Sequence, residues 1–145
     1  MRELDTSEYV SMLRELAESG HEVSVPIRGG SMSPFLEDGR DTAYFSAPQR
    51  ELRVGDIVFF QRENGAYILH RICRIADGGY YIVGDAQLNP EGPVPRESIF
   101  GLVTQVRRKG KTLSQGDFVW DFFAGFWLRK LPKRERLLKL YGYLR

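Results

Sequence analysis

In 145 residues the sequence has one cysteine, Cys73, and two histidines, His21 and His70. A lone cysteine excludes an internal disulfide. So few nitrogen and sulfur ligands leave a structural zinc site undersupplied, and neither a metal nor another cofactor is expected. No apolar run approaches the roughly 20 residues that a membrane-spanning helix needs. The start, Met-Arg-Glu-Leu-Asp, lacks the apolar stretch of a secretory signal, which makes the cytoplasm the expected location. Basic charge is scarce except at one end. Arg129 to Arg145 carries seven basic residues against the single acid Glu135, while the rest has 14 basic and 18 acidic residues. No nucleic-acid partner is expected, because that basic run occupies one terminal helix with no recognition module beside it.

What the chain has is a hydrophobic content of 42% with 12% aromatics, enough for one globular core. Asp5 followed by Glu8 suggests a capping box, Val10, Leu13 and Leu16 recur at helical spacing, and Gly20 supplies a stop, so residues 1–20 are read as a helix. Residues 21–116 read as strands. Val23, Val25 and Ile27 alternate with polar residues around Pro26, which suits a sheet edge. Strands are expected at Asp41–Ser46, Asp56–Gln61, Ala66–Ile75, Tyr80–Val83 and Ile99–Arg107. Asn64-Gly65 is expected as a primed hairpin turn, Asp77-Gly78-Gly79 as the next turn, and Arg108-Lys109-Gly110-Lys111 as a basic turn. The fold class is mainly β with helices at both ends. Residues 117–145 form an aromatic and basic helical tail. Its aromatics, Phe118 to Leu128, either cover an open face of the sheet, lie on a membrane surface, or fit a groove on a partner protein.

Two side chains point to chemistry. Ser31 follows Gly29 and Gly30 and precedes Pro34, so the backbone there can turn sharply and expose both a hydroxyl and an amide hydrogen. A serine hydroxyl needs a base to act as a nucleophile near neutral pH. His21 follows the helix stop and reads as an exposed residue near the cap. His70 lies between Ile68 and Ile72 on one face of a strand, where it is either an ordinary core side chain or that base.

The succession Gly30-Ser31-Met32-Ser33-Pro34, Gly39-Arg40-Asp41, Val54-Gly55-Asp56-Ile57-Val58-Phe59, Leu69-His70-Arg71-Ile72 and Gly84-Asp85 resembles the boxes of the signal-peptidase clan. That clan includes the self-cleaving repressors related to LexA, and the resemblance covers roughly Val25 to Arg108. The position of His70 is lysine in the bacterial enzymes and the repressors, and histidine in the archaeal and endoplasmic-reticulum enzymes. Since no lysine precedes Lys109, the chain is similar to the serine–histidine branch.

The resemblance implies a signal-peptidase/LexA-like coiled β-sheet domain with Ser31 as nucleophile, His70 as general base and then general acid, and Asp85 as the acid associated with the histidine. Asp56 is its rival for that role, and Ser33 is the rival of Ser31. Gly29, Gly30, Met32 and Pro34 belong to the oxyanion and substrate-binding loop. The Ser31 amide is the natural first oxyanion donor. Bacterial relatives take a second donor from a serine two residues before the nucleophile, where this chain has Gly29, so the second donor is unassigned. The implied activity is that of a serine peptidase acting on a peptide or precursor protein without membrane spans of its own, in the cytoplasm or at a membrane surface. Activity is expected to rise with pH around 6.5 unless burial or Asp85 moves the histidine. The alternative is a module that holds an extended peptide without cutting it. Self-cleavage coupled to DNA binding is disfavoured, because twenty amino-terminal residues cannot form a helix-turn-helix.

Overall fold

The computed structural model describes residues 6–140 and Gly142. Helix α1 (Thr6–Glu18) turns Val10, Leu13 and Ala17 into the core. These lie within one narrow stripe at 3.6 residues per turn, whereas Leu16 rotates off it and is 45% exposed. The helix ends in a Schellman motif: Gly20 N–H donates to the Ala17 carbonyl, His21 N–H donates to the Leu16 carbonyl, and Gly20 takes φ +94°. Asp5 of the expected capping box lies outside the described residues.

Eight strands form one antiparallel sheet: β1 (Val23–Pro26), β2 (Thr42–Ser46), β3 (Ile57–Gln61), β4 (Tyr67–Ala76), β5 (Gly79–Val83), β6 (Glu91–Val94), β7 (Ile99–Arg108) and β8 (Lys111–Ser114). Their order is β1-β2-β7-β3-β4-β5-β6, with β8 also on β7. Two strands went unrecognised in the sequence. β6 contains Gly92-Pro93, a dipeptide that argues against a strand, and it survives as an edge. β8 begins inside the stretch read as a basic turn. The turn itself is only Lys109-Gly110, both with φ > 0, a two-residue primed hairpin. Asp77-Gly78 makes another of the same kind. Asn64-Gly65 does not, because only Gly65 has positive φ. Gly65 N–H donates to the Arg62 carbonyl and Arg62 N–H to the Ala66 carbonyl, so the hairpin closes through a longer loop.

Two features of this sheet matter below. β1 pairs only with β2. β4 pairs with β3 along Tyr67–Arg71 but with β5 only from Arg71 onward, so Tyr67 to His70 have a strand on one side alone.

The larger apolar cluster unites α1, the sheet and the tail. In the tail, α2 (Phe118–Asp121) runs into a π-helical turn (Phe122–Trp127), followed by a 3-10 turn (Leu131–Lys133) and α3 (Arg134–Leu140). Trp120, Phe123, Trp127, Leu128 and Leu138 are buried. Phe35 packs edge-on against Trp120 and at a shallow tilt against Phe123, with ring centroids 5.9 and 5.0 Å away. The inner face of the tail thus covers the sheet. A smaller cluster on the other face holds Leu52, Val58, Phe60, Ile72 and Ile82. Among the described residues no helix is long and apolar enough to cross a membrane.

Because its inner face is core, the tail is required for folding. Trp120→Ala should cost about 3–5 kcal/mol in urea unfolding, and a chain ending at Gly116 should lose its cooperative transition. An unchanged midpoint for either would refute that role.

Candidate active site

Ser31 sits in the excursion between β1 and β2. The base of this loop is clamped where Ile27 N–H donates to the Asp41 carbonyl (3.0 Å) and Gly39 N–H to the Ile27 carbonyl (3.2 Å). Inside it, Gly29 takes φ +74°, which glycine adopts at little cost, and its N–H donates to the Asp38 carboxylate at 3.2 Å. Met32, Phe35 and Leu36 anchor the loop from below as buried side chains. Ser31 is left half-buried above them, and Pro34, also half-buried, gives its carbonyl to Arg108 at 3.4 Å.

The loop meets β4 at His70. Ser31 Oγ and His70 Nε2 are 3.0 Å apart, within hydrogen-bond reach of each other although 39 residues separate them. Ser33 is occupied elsewhere, its hydroxyl donating to the Glu37 carboxylate at 3.0 Å. A cavity of about 250 Å³ opens beside the pair. Val25, Ile27, Met32, Phe59, Tyr67 and Leu69 line it, and Ser31 and His70 form part of its wall. Two larger depressions, of about 360 and 480 Å³, lie away from these two residues. The Ser31 N–H has no acceptor among the described residues and remains available for an oxyanion, but the Gly29 N–H is committed to Asp38.

Asp85 does not bond the imidazole, contrary to the expectation from the sequence. Both its oxygens accept from Arg71, Nε at 2.8 Å and Nη2 at 2.9 Å, and the pair is fully buried. The guanidinium fork on the residue after His70 matches the carboxylate at two points and takes it first. Asp56 is committed too: it accepts from Arg50 at 2.9 and 2.8 Å and from the Arg53 N–H at 2.7 Å, as a turn residue does. His70 Nδ1 is therefore buried without a hydrogen-bond partner.

Beneath the site lies a set of contacts around the Gly84-Asp85 box whose partners the sequence did not indicate. Gly84 to Gln87 forms a turn whose Ala86 N–H donates to the Ser31 carbonyl at 2.9 Å. A Cβ on Gly84 would collide with that carbonyl, so the close approach requires glycine. From the tail, Trp127 Nε1 donates to the Asp85 carbonyl at 2.9 Å, and Arg134 Nη1 to the Gly84 and Gln87 carbonyls at 3.0 Å each. Arg134 is fully buried, and burial pulls its pKa below the ordinary arginine value. Its place in a basic run made it look like a solvated charge. Only the contact with a turn about fifty residues away reveals its role.

Burial pushes the His70 pKa down from 6.5 to about 4, the Glu91 carboxylate raises it, the Arg62 guanidinium lowers it, and Asp85 raises it. Arg62 and Glu91 are themselves paired at 3.0 and 2.7 Å. The imidazole is thus a free base through the neutral range, and the midpoint expected at 6.5 moves down because the ring is buried.

Two measurements follow from this. NMR titration of the His70 ring should give a midpoint near 4, rising in Arg62→Gln and falling in Glu91→Gln. The unfolded chain takes up the His70 proton below about 6.5 while the folded one waits until about 4, so stability should fall as pH drops through that window, by roughly 3 kcal/mol in all. His70→Gln should remove this dependence. A midpoint at 6 or above would refute the buried, unpartnered ring.

Compared with known proteins, the chain matches no family model, no curated protein and no solved structure at a significant level.

Proposed function

We propose that the protein is a serine peptidase of the signal-peptidase clan, in the serine–histidine branch, with the coiled-sheet fold of that clan, and that it cleaves a peptide or precursor protein. The observation that carries this reading is the 3.0 Å approach of Ser31 Oγ to His70 Nε2 beside an apolar cavity. A nucleophile and base in hydrogen-bond reach, next to room for a side chain, is the minimum that acyl transfer needs.

Substrate lies extended between two incompletely paired strands. β1 and the first half of β4 both border the cavity, and each has a backbone edge with no strand on it. A peptide added there bonds through its main chain and drops one side chain into the cavity of about 250 Å³. Ser31 Oγ attacks the scissile carbonyl carbon while its proton passes to His70 Nε2. The oxyanion accepts a hydrogen bond from the Ser31 N–H. Collapse of the tetrahedral intermediate breaks the carbon–nitrogen bond, and the imidazolium returns the proton to the leaving amine. Water, losing its proton to the same nitrogen, then opens the acyl ester and frees Ser31.

A second reading, peptide binding without cleavage, draws on the unpartnered Nδ1 of His70. Among the described residues no carboxylate bonds the imidazole and holds it in one tautomer.

A fluorophosphonate probe and mass spectrometry separate the two. Labelling at Ser31 that is lost in His70→Ala supports the peptidase, with turnover rising to a plateau by about pH 5 as the base loses its proton. No labelling, with intact peptide retained equally by wild type and Ser31→Ala, would establish the binding module instead.

A further inference from the structure

The tail has two faces, and only one is core. Opposite the buried Trp120, Phe123 and Trp127, an outer ridge carries Phe118, Phe122 and Phe126. Phe118 is 83% exposed and Phe126 44%. The three rings stack in series, with centroids 6.5 and 5.2 Å apart and planes within 30° of parallel. Lys130 Nζ caps the series 5.2 Å from the Phe126 ring. The Arg129 guanidinium lies by Gly125, 3.5 Å from where a Cβ would stand, and Lys133 and Arg136 are exposed beyond it.

We infer that this outer face docks onto an anionic lipid surface, with the phenylalanines entering the head-group boundary and Arg129, Lys130 and Lys133 meeting lipid phosphates. Charge selects the occupant. Residues 129–145 carry seven basic groups against one acid, while the remainder of the chain is net acidic, so an anionic bilayer attracts this end and repels the other. A symmetric contact with a second copy would bring two basic runs together. Phe126 is met by the Phe122 ring on one side and by Lys130 on another, which leaves little of its face for stacked bases. An amphipathic segment too short to span fits interfacial binding, and the combination of apolar insertion with basic charge supplies the two signals that stable attachment requires.

This inference is independent of the peptidase reading and is tested on the inactive full chain, Ser31→Ala. Co-sedimentation is measured with vesicles of phosphatidylcholine containing about 30% phosphatidylglycerol and with phosphatidylcholine alone. Binding to the anionic vesicles should be at least about tenfold tighter, should weaken with added salt, and should drop about tenfold or more when Phe118→Ser and Phe126→Ser are combined. If that double variant loses its thermal transition, Phe118→Ser alone is measured, since Phe118 is the most exposed large apolar side chain among the described residues and contributes least to the core. Equal binding by wild type and the folded variant, or no binding to anionic vesicles, overturns the inference. So does a dimer, or a single-stranded oligonucleotide complex, that forms without lipid and is abolished by the same substitutions.

Discussion

The distance between Ser31 and His70 depends on a buried ion pair that touches neither. Arg71 follows His70 on β4, and Asp85 follows Gly84 in the turn that holds the Ser31 carbonyl. Joining the two carries the turn to the strand, and with it the loop that bears the hydroxyl. Arg71 also donates to the Gly55 carbonyl at 2.9 Å and stands over the Phe35 ring, so both its charge and its plane are fixed. Removing one member of such a pair leaves an unpaired buried charge, typically at a cost of about 3–5 kcal/mol, whereas a matched apolar pair can cost nothing. An ion pair is therefore not needed here for stability as such. What it supplies is register: a bidentate fork has one good geometry, while an apolar contact at that position would accept several.

The arrangement of charge around that pair shapes the chemistry available. Arg71 and Arg134 both lie near Asp85, and all three are fully buried, which leaves one uncompensated positive charge under the Ser31 loop. Arg134 meets it with three carbonyl acceptors rather than a carboxylate. A net positive interior favours negative charge on a substrate oxygen above it, while burial is what opposes protonation of His70. The Ser31 N–H, which has no acceptor among the described residues, adds a donor for that oxygen.

Much of the scaffold was legible because it rests on local rules. The Schellman stop at Gly20 and the β3–β4 strands come from spacing and turn chemistry, and Ser31 and His70 stand out because so few rivals exist in the chain. What was not legible depends on competition between distant groups. Asp85 was expected beside the histidine, yet the guanidinium one residue further along outbids an imidazole for a carboxylate. Leu16 fits a helical repeat by counting but lies too far round the helix to reach the sheet. β6 carries the two residues least suited to a strand, and an edge tolerates them. Arg134 is the hardest case, since nothing in Lys-Arg-Glu-Arg says which cation turns inward.

The tail shows how one segment can serve two constraints at once. Its inner aromatics are needed to close the sheet, and Trp127 and Arg134 reach through to the turn under Ser31. Of its outer rings, Phe118 and Phe126 are exposed, while Phe122 also packs against the core. A π-helical turn widens the helix just where Phe123 and Trp127 face in and Phe122 and Phe126 face out, so successive aromatic pairs divide between the two faces. Had the outer face only needed to be wet, polar residues at positions 118 and 126 would have served solubility better. Keeping phenylalanine at all three, one turn apart and flanked by cations, is consistent with a surface selected for what it meets. Phe126 of the outer face directly precedes Trp127, whose Nε1 holds the turn beneath Ser31, so the two faces meet in adjacent residues.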